Sequence, residues 1–225
     1  MSQNNANGSS AVKTGPKKPF FQENQKSITF IVVGFIVLIL LYIGYKNLYL
    51  APRAEKAANE MYQAETYATI DSLQNKAIEG DGSFPGFKEI ADEYSNTKSA
   101  NIANAYLGGL YLRQKNFKEA IKYLEQYSET GSEILDPLII GLLGDAYSEE
   151  KIYDKAATIY KKAADKSQNA YTTPLFLKKL GLVYEELNDY KNAEAAYQRI
   201  RDDYPESAES TTIDSFIARV QAKQQ

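Results

Sequence analysis

One pattern recurs three times in the second half of this chain, and it leaves few folds open. Leucine and glycine are followed by tyrosine three residues on, then by an aromatic, an alanine and a further large side chain. The copies are Leu107, Gly108, Tyr111, Phe117, Ala120 and Leu124; Leu143, Gly144, Tyr147, Tyr153, Ala156 and Tyr160; Leu180, Gly181, Tyr184, Tyr190, Ala193 and Tyr197. The glycines stand 36 and 37 residues apart. Such a period marks a stacked array of small units, none of which buries its apolar face alone. Within each copy the apolar spacing is helical, so each unit reads as two antiparallel helices. Gly108 and Ala120, Gly144 and Ala156, and Gly181 and Ala193 are expected where the helix axes cross, because axes approach to about 8–10 Å only over small residues.

These residues resemble the tetratricopeptide repeat family, and the resemblance implies an all-α superhelix with an inner binding face. Regular repeats are expected at 101–207, with Pro137 and Pro174 at the first position of their helices. There the missing N–H costs least. A degenerate first repeat is expected at 64–97, with Asp71 in place of the glycine and Ser83 in place of the alanine. Upstream, an amphipathic run from Ala54 to Ile78 predicts one long linking helix over 53–79. Ile213, Phe216, Ile217 and Val220 predict a capping helix within 208–225.

The N-terminal part follows different rules. Residues 1–26 are rich in Asn, Ser, Gly and Lys, which predicts a disordered tail. Lys13, Lys17, Lys18 and Lys26 read either as a lipid-facing basic cluster or as solvated charge. From Ile28 to Tyr45 no residue is charged, long enough to cross a hydrocarbon core about 30 Å thick as a helix. A membrane anchor is therefore expected over 27–50. A cleaved signal peptide is the competing reading. It has a shorter apolar region and a small-residue cleavage site, whereas Tyr42, Tyr45 and Tyr49 stand at the exit as an aromatic belt. Four lysines before the span face Lys46, Arg53 and Lys56 after it. This bias favours a cytoplasmic tail and a repeat domain on the far side.

Composition removes several functions. The chain has no cysteine and no histidine, hence no thiol nucleophile, no Cys or His metal ligands and no histidine base. No catalytic, cofactor-binding or metal-binding residue is predicted. Pairs such as Asp202–Asp203 read as solvated faces. Residues 1–45 carry four lysines and one glutamate, leaving 22 basic and 28 acidic residues beyond. An acidic repeat region argues against nucleic acid as a partner.

The family resemblance places groove residues at the second, fifth, ninth and twelfth positions of each first helix. Here these are Ile102, Ala105, Gly109 and Leu112; Leu138, Gly141, Asp145 and Ser148; Leu175, Lys178, Leu182 and Glu185. The groove is thus expected to be partly apolar, unless Ile102, Leu138 and Leu175 simply pack on the preceding repeat. The clamp with which some members hold a terminal carboxylate is absent. Its positions carry Ala105, Gly109, Leu142, Leu175 and Lys179.

The tail, the single span, the long helix, the stretch Ala77-Ile78-Glu79-Gly80-Asp81 through Gly86-Phe87 to Tyr94, and the repeats together resemble the bacterial single-span ancillary subunit of the SecYEG translocon. That resemblance covers residues 20–207. It implies an inner-membrane protein with a periplasmic repeat domain and no enzymatic activity. The implied partners are the SecYEG translocon, a membrane-anchored peptidyl-prolyl isomerase and unfolded exported polypeptides. A general envelope scaffold and a cytosol-facing import receptor remain as alternatives.

Overall fold

The structure is a computed structural model that describes residues 24–166 and 168–225. Among them every regular element is helical. They fall into two compact units, divided between Tyr49 and Leu50. The tail expected over 1–26, with Lys13, Lys17 and Lys18, lies outside the described residues except for its last three.

The first unit holds α1 (Gln25–Gly44), which passes into a π-helical turn at Tyr45–Leu50. None of α1 is buried, and large apolar side chains such as Phe30, Phe35 and Leu41 point outward. At about 1.5 Å per residue it is long enough to cross a bilayer, and it is apolar enough to do so. Tyr45 and Tyr49 stack with ring centroids 5.4 Å apart.

The second unit begins with α2 (Ala51–Ala68), with Pro52 in its first turn. The single helix expected over 53–79 is broken. Thr69 ends α2, its hydroxyl donating to the Thr66 carbonyl at 2.8 Å. Ile70 is extended, and a 3₁₀ turn at Asp71–Leu73 leads into the short α3 (Gln74–Glu79). The cause is local: β-branched Thr69 and Ile70 precede Asp71 and Ser72, four residues that favour turns or strands over helix interiors. The loop 80–86 is organised by Asp81, which accepts from the Ser83 and Phe84 amides at 2.9 Å each and from the Tyr67 hydroxyl at 2.6 Å. Helix α4 (Phe87–Glu93) follows. The end of the degenerate first repeat is thus two short helices across the loop 80–86.

Three helix pairs then stack in sequence: α5 (Lys98–Arg113) with α6 (Phe117–Leu124), α7 (Leu135–Glu149) with α8 (Tyr153–Lys166), and α9 (Thr172–Glu186) with α10 (Tyr190–Asp203). Helix α11 (Ser210–Lys223) packs on α10, burying Ile213, Ile217 and Val220. Pro137 and Pro174 are the third residues of α7 and α9 rather than the first. They are still within the turn whose N–H groups lack helical partners.

Each pair is joined by the same tight turn. Lys115, Lys151 and Asn188 have φ of 59°, 59° and 57°. The next amide in each case donates back to the tyrosine carbonyl of the repeat, Asn116 to Tyr111 (2.9 Å), Ile152 to Tyr147 (2.9 Å) and Asp189 to Tyr184 (2.8 Å). This left-handed C-terminal cap fixes the angle at which the second helix turns back.

Each repeat glycine lies against the second helix of its own pair. A Cβ on Gly108 would lie 2.3 Å from Leu124, on Gly144 2.6 Å from Tyr160, and on Gly181 2.2 Å from Tyr197. Each glycine makes room for the large side chain sixteen residues on. Ala120, Ala156 and Ala193 are themselves fully buried. Two apolar clusters result, one from α2 to α7 and one from α7 to α11. Ile121 and Leu143 pack against both, so the core runs through the stack.

Candidate protein-binding groove

The first helix of each pair exposes one stripe. On α5, residues 102, 105, 106, 109 and 113 share a face at the helical period. Ile102, Ala105, Tyr106, Gly109 and Arg113 line one wall of a trough of about 540 Å³. Leu135, Ile139 and Leu142 of α7 line the other. Its surface is apolar apart from the Tyr106 hydroxyl and Arg113. Tyr106 is held by stacking on Phe87, with centroids 4.6 Å apart and rings within 5° of parallel. Arg113 marks one end and donates to the Ala68 carbonyl at 3.2 Å, a neutral acceptor. Gly109 keeps the floor low, since a Cβ there would reach Leu142 only at 3.8 Å.

Beyond Arg113 the groove continues with Leu112, Lys115, Phe117, Asp145, Ser148 and Lys179. The charges here are largely mutual. Lys179 donates to both oxygens of Asp145 at 2.6 and 2.8 Å, and the Tyr160 hydroxyl donates to Asp145 at 2.6 Å. Burial, together with the Asp145 charge, pushes the Tyr160 phenol well above its ordinary pKa. Further on, Glu185 has a side chain only 9% exposed and is held by Arg219 of α11, whose Nε donates at 3.0 Å, by the Tyr197 hydroxyl at 2.8 Å and by Lys223. Desolvation opposes ionisation of Glu185, but Arg219 and Tyr197 outweigh it and hold its pKa below the ordinary value.

Ile102, Ala105 and Gly109 are therefore brought together in the trough, and Leu112 borders its continuation while packing partly on the core. Gly141 is not a groove residue. The Phe176 ring lies where its Cβ would be, at 1.9 Å, so Gly141 serves the contact between α7 and α9. Leu138 is 38% exposed but stands outside the trough wall. Leu175 packs against the second core. The Lys178 ammonium sits 4.9 Å above the Phe216 ring of α11. Asp145 and Glu185 border the groove with their carboxylates already engaged. Leu182 is 41% exposed beside Arg219 and Lys223. The reading by fixed positions missed Tyr106, Arg113, Leu135, Ile139 and Leu142. A trough has two walls, and the second presents a different stripe of the following helix. The three-and-four spacing of 135, 139 and 142 carried that signal.

No cluster of acidic residues suited to a metal ion occurs among the described residues. What the arrangement offers is an apolar channel with a cation at one end. A family profile described as a tetratricopeptide repeat-like domain matches residues 18–214, the apolar helix α1 included.

The chain belongs to the tetratricopeptide repeat-like family. No curated protein matches it. Repeat domains of this family are typically protein-interaction modules, and the trough between α5 and α7 is an unfilled apolar surface on this one.

Proposed function

We propose that this tetratricopeptide repeat-like protein is a membrane-anchored polypeptide-binding module that holds extended apolar segments of exported chains beside the translocon, with its repeats on the periplasmic side. The observation that carries the binding reading is the α5–α7 trough. Ile102, Ile139 and Leu142, which pack partly on the first core, and Tyr106 stay partly uncovered, while the equivalent contact between α7 and α9 is filled by Phe176. A leucine seated in such a channel gains about 1.5–3 kcal/mol from burial, enough for a few successive side chains to offset the ordering of an extended segment. The anchoring reading rests on α1, whose unburied apolar surface needs a non-aqueous surrounding and which lies inside the family match. The translocon, a membrane-anchored peptidyl-prolyl isomerase and exported chains are proposed as partners on the resemblance of the whole layout.

Ile139→Asp places a charge in the trough without touching the glycine contacts. Full-length protein carrying it should keep its helicity and lose most of its binding to an unfolded polypeptide, and native purification should recover translocon subunits with the parent. Unchanged binding by a folded Ile139→Asp protein would remove the trough as the site. Absence of translocon subunits from the parent's native complex would remove the translocon reading.

A further inference from the structure

Gly109, Arg113 and Leu142 line both the apolar trough and the cavity of about 520 Å³ that continues it. Charge changes sign at this junction. Arg113 stands at the register where the next two repeats carry Glu149 and Glu186, 36 and 73 residues on. The same offsets relate Tyr111 to Tyr147 and Tyr184, so the alignment is that of the repeats themselves. The first regular repeat thus presents a cation where the other two present a carboxylate. Lys115, on the turn that follows α5, adds a second cation to the same cavity.

Most charges along the groove are already engaged. Asp145 takes up Lys179, and Glu185 takes up Arg219 and Lys223. Arg113 and Lys115 are both exposed, and among the described residues neither forms an ion pair. Nor does the fold need their charge. The Arg113 side chain donates to the last carbonyl of α2, that of Ala68, a bond that a neutral amide side chain could make as well. Lys115 closes the turn between α5 and α6 with φ of 59°, and the third pair closes the same way on the uncharged Asn188. Glu149 lines the cavity too and pairs with neither cation. Two cations are therefore held beside an apolar channel, open to a carboxylate from outside.

We infer that Arg113 and Lys115 form a carboxylate-reading subsite, which takes an aspartate or glutamate side chain of an extended polypeptide whose apolar residues occupy the adjoining trough. The inference rests on the binding function proposed above and names the clients preferred by that site: segments in which an acidic residue adjoins a run of apolar ones. An apolar channel alone accepts any such run, whereas a charge at its end fixes the register of the occupant. The groove stays open beyond Arg113, where Ser148 and Glu149 line both this cavity and the next. The occupant therefore runs through the site, and the carboxylate is that of a side chain rather than of a chain terminus. Glu149 and Glu186 disfavour a second acidic residue further along, so the acid is taken at one place.

The test uses the full-length protein in non-ionic detergent micelles and a dansyl-labelled unstructured peptide with leucine at alternate positions and one aspartate beyond them. Its end is amidated, so the aspartate is its sole carboxylate. A second version has asparagine in place of the aspartate. The parent should bind the aspartate peptide about fivefold more tightly at low salt, as for an exposed ion pair, and the preference should shrink as salt is raised. The double variant Arg113→Gln, Lys115→Asn should melt as the parent does and bind both peptides alike, at the parent's affinity for the asparagine peptide. Arg113→Glu, which installs the residue of the next two repeats, should reverse the preference. Either variant, folded and keeping the parent's preference, overturns the inference. So does a parent without one; if glycerol phosphate then binds that parent and not the double variant, the cations belong to a lipid headgroup. Ile139→Asp tests the trough separately and should lose both peptides. If it binds both as the parent does, the trough reading falls and this inference with it. If it loses both while the double variant keeps the parent's preference, the trough stands and the carboxylate subsite falls.

Discussion

At the scale of single residues, this chain repeatedly uses a carboxylate to hold a loop or a tyrosine. Asp136 is the clearest instance. It is fully buried in the first turn of α7. It accepts from the Tyr127 hydroxyl (2.7 Å), the Thr130 amide and hydroxyl (2.9 Å each) and the Gly131 amide (2.8 Å). Desolvation opposes its ionisation, but these donors outweigh it and lower its pKa from 3.8 to about 2, while burial and the same pairing raise the Tyr127 phenol to about 12. Because the folded pKa lies below the unfolded one, the carboxylate contributes stability that is complete above about pH 4 and is lost as pH falls through 3.8 towards 2. Asp136→Ala should lower stability by about 1–3 kcal/mol near neutral pH, since several donors lose their acceptor at once. Urea melts at pH 7 and pH 2.5 should show the difference between parent and variant shrinking at the lower pH. A gap that stays constant would mean that the charge has no part in it.

At the scale of elements, α11 stands in for the first helix of a further repeat. Phe216 meets Tyr197 edge to face with centroids 5.4 Å apart, and Arg219 and Lys223 reach Glu185. Helix α11 presents one apolar face, with Ile213, Ile217 and Val220, to the stack and a polar face to water. The Arg219 side chain is 45% exposed and Lys223 remains nearby. Screening therefore limits the pair, and Arg219→Gln should cost about 1 kcal/mol rather than the larger penalty of a fully buried pair. Raising salt should narrow the difference between parent and variant. A loss insensitive to salt would assign the effect to Arg219 stacking on Phe216, where the guanidinium lies 4.5 Å from the ring centroid.

At the scale of the whole molecule, the prediction concerns topology. The chain has no cysteine, so a single introduced thiol reports its side of the membrane without background. Tyr171, between α8 and α9, is 80% exposed. Tyr171→Cys should react with a membrane-impermeant maleimide in intact cells whose outer membrane has been permeabilised. Labelling only after the inner membrane is lysed would place the repeats in the cytoplasm and reverse the proposed orientation.

The repeat architecture could be read from the sequence because it is written in covalent order. A glycine, a tyrosine and an alanine recurring at one period specify helix pairs wherever they occur, and the apolar, uncharged run of α1 identifies itself by length. Tertiary structure decided what depends on which side chain reaches across. Gly144 was visible as a small residue, yet only packing shows that it receives Tyr160. Gly141 and Gly109 look alike in sequence, but Phe176 covers the first while the second stays open beside Leu142. Asp145 and Glu185 read as groove charges until Lys179 and Arg219, each 34 residues away, are seen to take them up. The break at Thr69–Ile70 has a local cause but lay within a continuous amphipathic pattern, and periodicity records which face is apolar, not whether the backbone bonds along it persist. A groove is the space left between two helices, and the sequence of either one specifies only its own wall.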